Sequence, residues 1–135
     1  MTLLDRLKQH EGFRSLPYRD GKGVLTIGYG RNLDAKGIDE DEGEMLLKND
    51  IDYCTRMGRL FVPGFDDLDP ARQGVMVEMI FNLGLTGFLG FRKMLLAVKR
   101  RDWETAEAEM RSSKWWRQVG KRAETLSEIM LTGQD

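Results

Sequence analysis

The chain of 135 residues is poor in the groups that most often announce a chemistry. It has one cysteine, Cys54, so no disulfide can form within it and its fold does not depend on an oxidising compartment. It has one histidine, His10, which leaves no imidazole set for a zinc site of the usual kind and no neighbouring base in sequence for the lone thiol. Cys54 therefore reads as a small apolar residue on a helix, and neither metal nor cofactor is expected. Long apolar runs are missing too. The opening Met1-Thr-Leu-Leu-Asp-Arg-Leu-Lys-Gln-His10 mixes leucines with charges and suits neither a signal peptide nor a membrane anchor. The expectation is synthesis in the cytoplasm without stable membrane insertion, so that work outside the inner membrane would need a separate agent of release.

A large excess of one charge is also absent, since 21 Lys and Arg face 22 Asp and Glu. The balance is uneven along the chain: residues 1 to 70 hold ten basic against fourteen acidic side chains, and residues 91 to 135 hold ten against seven. A domain that lives on nucleic-acid phosphates needs a far larger positive surplus, so nucleic acid is not expected as a partner. No internal repeat or polar low-complexity tract is present. A composition of 41% hydrophobic and 9% aromatic residues is that of a globular protein, either one domain of ordinary size or two small lobes on one chain.

What the chain does have is a dense stretch from Glu11 to Gly30, holding two carboxylates, one threonine and five glycines between two helical patterns. Thr2 and Asp5 form a capping-box pattern, and Leu3, Leu4 and Leu7 make the stripe of a first helix. At about 100 degrees per residue, Glu11 falls between Leu4 and Leu7 and is expected on the apolar side, with Gly12 as the stop. A carboxyl partly out of water at the negative end of a helix dipole favours its protonated form, the state a general acid needs. A glutamate at a frayed helix end fits the same position. Leu16 to Asp20 and Val24 to Tyr29 flank Asp20-Gly-Lys-Gly23 as a hairpin. Alternation puts Leu25, Ile27 and Tyr29 on one face and Thr26, Gly28 and Gly30 on the other. Those glycines either clear a floor for a ligand beneath Thr26 or only shape a twisted edge.

The remainder is helical. Asp39 with Glu42 starts a long helix whose stripe is Leu47, Ile51, Cys54 and Met57, with roughly five turns at 3.6 residues each, enough to bridge two lobes. Asp69-Pro70 caps the next, carrying Val75, Met76, Met79 and Ile80 to a stop at Gly84. Shorter helices follow through Met94 and Val98, through Trp103, Ala106 and Met110, and through Ala123, Leu126 and Met130. The fold class is α+β: mostly helical, with a small N-terminal hairpin lobe joined by a long helix to a helical bundle. Trp115-Trp116 is read mainly as core, with one ring free for a sugar as the other possibility.

Glu11, then Asp20 after eight residues, then Thr26 within Thr26-Ile-Gly-Tyr-Gly30 resembles the active-site signature of the phage-type lysozymes, glycoside hydrolase family 24, to which the T-even phage endolysin belongs. The likeness continues through Asp41-Glu-Gly-Glu-Met-Leu-Leu-Lys-Asn-Asp50-Ile-Asp52, Phe81-Asn-Leu-Gly-Leu-Thr-Gly87, Arg101-Asp-Trp103 and Ser113-Lys-Trp-Trp-Arg-Gln-Val-Gly-Lys-Arg122-Ala123. It implies one lysozyme-like domain over 1–135, with a small lobe at about 13–58, including the connecting helix, and a helical lobe from about 1–12 and 59–135. It implies cleavage of the β-1,4 bond between N-acetylmuramic acid and N-acetylglucosamine in peptidoglycan. Glu11 would protonate the leaving oxygen, and Asp20 with Thr26 would hold a water on the opposite face. Arg122 would pair with Glu11, and Asn32, Phe81 and Asn82 match positions that line the sugar cleft. Relatives often carry histidine where this chain has Arg31, and an ion pair rebuilt between Arg31 and Asp50 is the corresponding expectation. The segment 31–38 is shorter than in the T-even enzyme, which implies a reduced small lobe. The partners expected are peptidoglycan and a holin or other lysis partner, with the protein a monomer acting on the cell wall in the periplasm or outside. A peptidoglycan-binding domain without turnover, and a hydrolase of another N-acetylglucosamine polymer, are the alternatives.

Overall fold

The computed structural model describes residues 1–135. Helix α1 (Leu3–Glu11) leads into a three-stranded antiparallel sheet of β1 (Arg14–Arg19), β2 (Leu25–Gly28) and β3 (Arg31–Asn32), ordered β1-β2-β3. Six further helices follow: α2 (Glu40–Phe61), α3 (Pro70–Leu89), α4 (Arg92–Lys99), α5 (Trp103–Arg111), α6 (Lys114–Val119) and α7 (Lys121–Thr132), with a 3-10 turn at Phe65–Asp67. This is the α+β architecture expected. Two compact units divide the chain, Met1–Leu46 and Leu47–Asp135, and the division falls inside α2. No single helix is long and apolar enough to cross a membrane.

Local chemistry explains where the elements begin. Thr2 accepts from the Asp5 N–H at 3.1 Å while the Asp5 carboxylate accepts from the Thr2 N–H at 3.0 Å, a reciprocal cap on α1. Asp39 and Glu42 repeat the arrangement at the start of α2, with bonds of 2.8 and 3.1 Å. Asp69 caps α3 ahead of Pro70, and Gly84 interrupts α3 with non-helical angles (φ 74, ψ 160), so the stop expected at Gly84 is present as a break between two helical runs.

In the second unit, Val75, Met76, Met79, Ile80, Phe88, Met94, Val98, Met110 and Met130 are almost wholly removed from water. At about 1.5–3 kcal/mol per large apolar side chain, that burial dominates the unit's stability. Arg72 is the buried cation of this unit. Its Nε donates to the Met130 carbonyl at 2.7 Å, its Nη2 to Leu131 at 3.0 Å and its Nη1 to Asp69 at 3.0 Å, with the guanidinium 3.9 Å from the Trp103 ring centroid. The last carbonyls of α7 thus receive donors from α3, which ties the two helices together.

The first unit is built differently. Thr26 is its only buried residue, and Leu3, Leu4 and Leu7 on α1 are exposed. The apolar stripe of α1 therefore contributes no buried residue, contrary to the sequence expectation. Polar bonds carry the order: Asp34 accepts from the Leu25 N–H at 2.9 Å, and the Leu33 N–H donates to the Leu25 carbonyl at 2.8 Å. Arg31 makes a fork-to-fork pair with Glu42, Nη1 to Oε1 at 2.8 Å, and also donates to the Gly37 carbonyl at 3.0 Å. The partner expected for Arg31 was Asp50; Glu42, in the first turn of α2, takes that place.

This pair sets a pH dependence. The Arg31 guanidinium, and then the Asp39 N–H, lower the Glu42 carboxyl from 4.5 to about 2. A folded pKa below the unfolded one means the stabilisation is complete above about 4.5 and is lost as pH falls through about 2. Thermal melting between pH 5 and 2 is expected to show a progressive loss in the wild type that is reduced in Glu42→Gln; equal slopes in both would remove the pair as its cause.

Candidate active site

The hairpin begins from the Asp20 side chain. Its Oδ1 accepts from the backbone N–H of Lys22 at 2.8 Å and of Val24 at 2.9 Å, closing Asp20-Gly-Lys-Gly23 into a tight turn. The Gly23 N–H returns to the Asp20 carbonyl at 2.9 Å. The Val24 and Lys22 N–H groups hold the Asp20 carboxyl below the ordinary aspartate range, so it is an anion at neutral pH. Both turn bonds use Oδ1, and Oδ2 has no protein partner. Asp20 therefore presents one exposed, ionised oxygen on a rigid turn.

Thr26 lies one turn away on β2, opposite Tyr18 on β1 and Asn32 on β3. Of the two readings of this glycine face, the open floor beneath Thr26 does not hold: Thr26 is 4% exposed, and its hydroxyl donates to the Val24 carbonyl at 2.8 Å. With its proton committed, that oxygen can act toward any further group only as an acceptor. Asn32 shares the register of Thr26, and its side-chain oxygen accepts from the Ala35 N–H at 2.9 Å, which shapes the loop after β3.

Glu11 ends α1 and is exposed, so the sequence expectation of a desolvated carboxyl does not hold. Its place is instead defined by Gly30. A Cβ built on Gly30 would stand 2.8 Å from Glu11 Oε2 and 3.1 Å from its carboxyl carbon. The carboxyl thus lies directly over the Gly30 backbone, at the turn that follows the strand bearing Thr26. Within the first unit, Glu11 ends α1, Asp20 opens the hairpin turn and Thr26 follows that turn on β2.

The remaining expected residues lie in the second unit. Phe81 and Asn82 are exposed on α3, and the Asn82 side-chain oxygen accepts from Trp115 Nε1 at 2.7 Å. Trp115 is the buried member of the tryptophan pair, packed edge-on against Phe91 with ring centroids 5.9 Å apart. Arg122, the residue expected to pair with Glu11, bonds within its own unit to Glu78, Nε to Oε2 at 2.8 Å. Sequence reasoning missed Glu78, although a lone acid within Val75-Met-Val-Glu-Met-Ile80 was a visible signal. It also missed the carboxyl lying on Gly30, for which no pattern in sequence exists.

The Gly30 contact is testable against a built-in control. Gly28 and Gly30 both have left-handed φ, at +68 and +78, yet a Cβ on Gly28 meets nothing within 4 Å. Both alanine variants carry similar backbone strain, of order 1–3 kcal/mol. Only Gly30→Ala displaces the Glu11 carboxyl, so an additional loss of about 10²-fold in any activity that uses this carboxyl is expected for it alone. Equal activity in the two variants at matched melting temperature would exclude the contact as the cause.

Comparison with known proteins addresses the same stretches. The chain is 24% identical over 162 aligned positions to probable T4-type lysozyme 2 of Dictyostelium discoideum, covering 98% of this chain and 95% of that one. To the pre-baseplate central spike protein Gp5 of Enterobacteria phage T4 it is 26% identical, covering 98% of this chain and 28% of the relative. To a SAR-endolysin of Bacteriophage PS34 it is 27% identical, over 92% of this chain and 78% of the relative. The alignments of 162 and 165 positions exceed the 135 residues present here, so those two relatives carry segments that this chain lacks. The model of the phage lysozyme family matches residues 8–128, a span that takes in Glu11, Asp20, Thr26 and Arg122, and the chain belongs to that family.

Proposed function

We propose that this protein is a muramidase that hydrolyses the β-1,4 bond between N-acetylmuramic acid and N-acetylglucosamine in peptidoglycan, with inversion at the anomeric carbon. The observation that carries the reading is the Glu11 carboxyl lying on Gly30, at the edge of the hairpin that bears Asp20 and Thr26. Cleaving a glycosidic bond calls for one carboxyl that delivers a proton and one carboxylate that stays ionised. Glu11 protonates the leaving oxygen. Asp20, held as an anion by its turn, takes a proton from water through its unpartnered Oδ2. Thr26 donates its hydroxyl hydrogen bond to the Val24 carbonyl and so accepts a hydrogen bond from that same water, which turns the water's lone pair toward the anomeric carbon. The oxygen of water bonds to the sugar, the glycosidic carbon–oxygen bond breaks, and Glu11 and Asp20 exchange protonation states until solvent resets them.

An interposed water requires carboxyl groups roughly 6.5–9.5 Å apart, the spacing of inverting enzymes. Asn32, Phe81, Asn82 and Arg122 contact the sugar chain. The protein works on the cell wall as a monomer, with a holin or comparable lysis partner giving access.

A turbidity assay on purified cell walls tests the reading. Glu11→Gln is expected to lose about 10²–10⁴-fold in rate, the usual share of a general acid. Equal rates in wild type and Glu11→Gln would favour a binding module over an enzyme. The first-formed reducing sugar is expected as the α-anomer, and a β-anomer would replace the water mechanism by a covalent one.

A further inference from the structure

Two consecutive peptide planes carry the hairpin groups of the first unit, and side chains hold both. The first is Gly23–Val24. Its N–H donates to Asp20 Oδ1 at 2.9 Å, and its carbonyl accepts from Arg19 Nη1 at 3.2 Å. The second is Val24–Leu25. Its carbonyl accepts from the Thr26 hydroxyl at 2.8 Å and from the Asp20 backbone N–H at 3.0 Å, so Thr26 and Asp20 are both set against one oxygen. Its N–H donates to Asp34 Oδ2 at 2.9 Å. A peptide group is planar and turns as one piece, so whatever holds its N–H also aims its carbonyl.

The bond to Asp34 stands where a sheet bond would. Thr26 pairs with Asn32 and Ile27 with Arg31, a register that sets Leu25 opposite Leu33. Half of that pair is made, with the Leu33 N–H donating to the Leu25 carbonyl at 2.8 Å. The Leu33 carbonyl is engaged elsewhere: it accepts from the Gly37 N–H at 3.2 Å, and the Asp34 side chain receives the Leu25 N–H in its stead. A carboxylate is a stronger acceptor than the carbonyl it replaces. The same Oδ2 lies 3.5 Å from Arg19 Nη1, the group that holds the first plane. With the two side chains 64% and 52% exposed, that ion pair adds little to stability. Its consequence is geometric, since it joins the supports of the two planes.

We propose that Asp34 is a positioning residue: by holding the Leu25 N–H it fixes the tilt of the Val24–Leu25 plane, and with it the oxygen against which the Thr26 hydroxyl and the Asp20 backbone are set. The inference rests on the muramidase reading, in which those two residues hold the attacking water. An asparagine at position 34 keeps an oxygen for the Leu25 N–H. An alanine leaves that N–H without its acceptor and removes the support of the plane.

Steady-state hydrolysis of soluble peptidoglycan fragments, at a temperature where each variant is fully folded, separates positioning from mere support of the fold. Asp34→Ala is expected to lower kcat about tenfold or more with KM nearly unchanged, while Asp34→Asn stays within about threefold of wild type. In Asp20→Asn the further change Asp34→Ala is expected to add less than about threefold, because the water has already lost its base. Wild-type kcat in Asp34→Ala, an equal loss in Asp34→Asn, or full additivity with Asp20→Asn would each overturn the proposal. Should Asp34→Ala not fold, amide hydrogen exchange gives a second measurement: a Leu25 N–H protected in wild type and in Asp34→Asn supports the role, and an unprotected Leu25 N–H in wild type overturns it. Glu11→Gln serves as the separating control. Retained turnover there removes the muramidase reading and this inference together, whereas lost turnover beside an unaffected Asp34→Ala removes the positioning role alone.

Discussion

A carboxyl lying on a backbone leaves no room for a Cβ beneath it, and that contact at Gly30 sets the Glu11 side chain beside the hairpin of the first unit. The Glu11 carboxyl at the end of α1 rests on the turn after β2 in space that a Cβ at position 30 would occupy. The same turn sets the short β3 against β2, pairing Thr26 with Asn32 and Ile27 with Arg31. Arg31 then finds Glu42, and Glu42 caps α2 through Asp39. A single close approach is thus continuous with the register of the sheet and with the start of the longest helix.

The two units are stabilised by different physics. The second has a methionine-rich interior, where flexible thioether side chains fill an irregular space among seven helical segments, with Arg72 satisfying the carbonyls at the end of α7. The first buries no apolar side chain fully and relies on turn bonds, caps and one bidentate ion pair. Polar order of this kind is directional. It sets the angles of Asp20 and Thr26 more sharply than apolar burial would, and it depends on pH through Glu42.

Much of the architecture was legible because it is local. Capping boxes at Thr2–Asp5 and Asp39–Glu42, the Asp69-Pro70 start and the break at Gly84 are short-range chemistry, and each stands in the structure where the pattern put it. The hairpin followed from the spacing of glycines around Lys22, and the helical core followed from the 3.6-residue recurrence of Met and Val. The readings that failed concerned environment. Periodicity placed Glu11 on an apolar stripe, but a stripe states only which residues share a direction, and the leucines of α1 are in fact exposed. Alternation put Thr26 on the glycine face with two readings open, and the residue is buried there.

The sequence by itself therefore determined the order of the elements, the residue types at the candidate site and the membership of a family, because these depend on neighbours along the chain and on ordered motifs. Partnership was decided by the tertiary structure alone. Arg31 chose Glu42 over Asp50, Arg122 met Glu78 across 44 positions, and Glu11 came to rest on Gly30. Each of these depends on distances of a few ångströms between segments that no periodicity relates, and at those distances charge pairing and steric exclusion are decided.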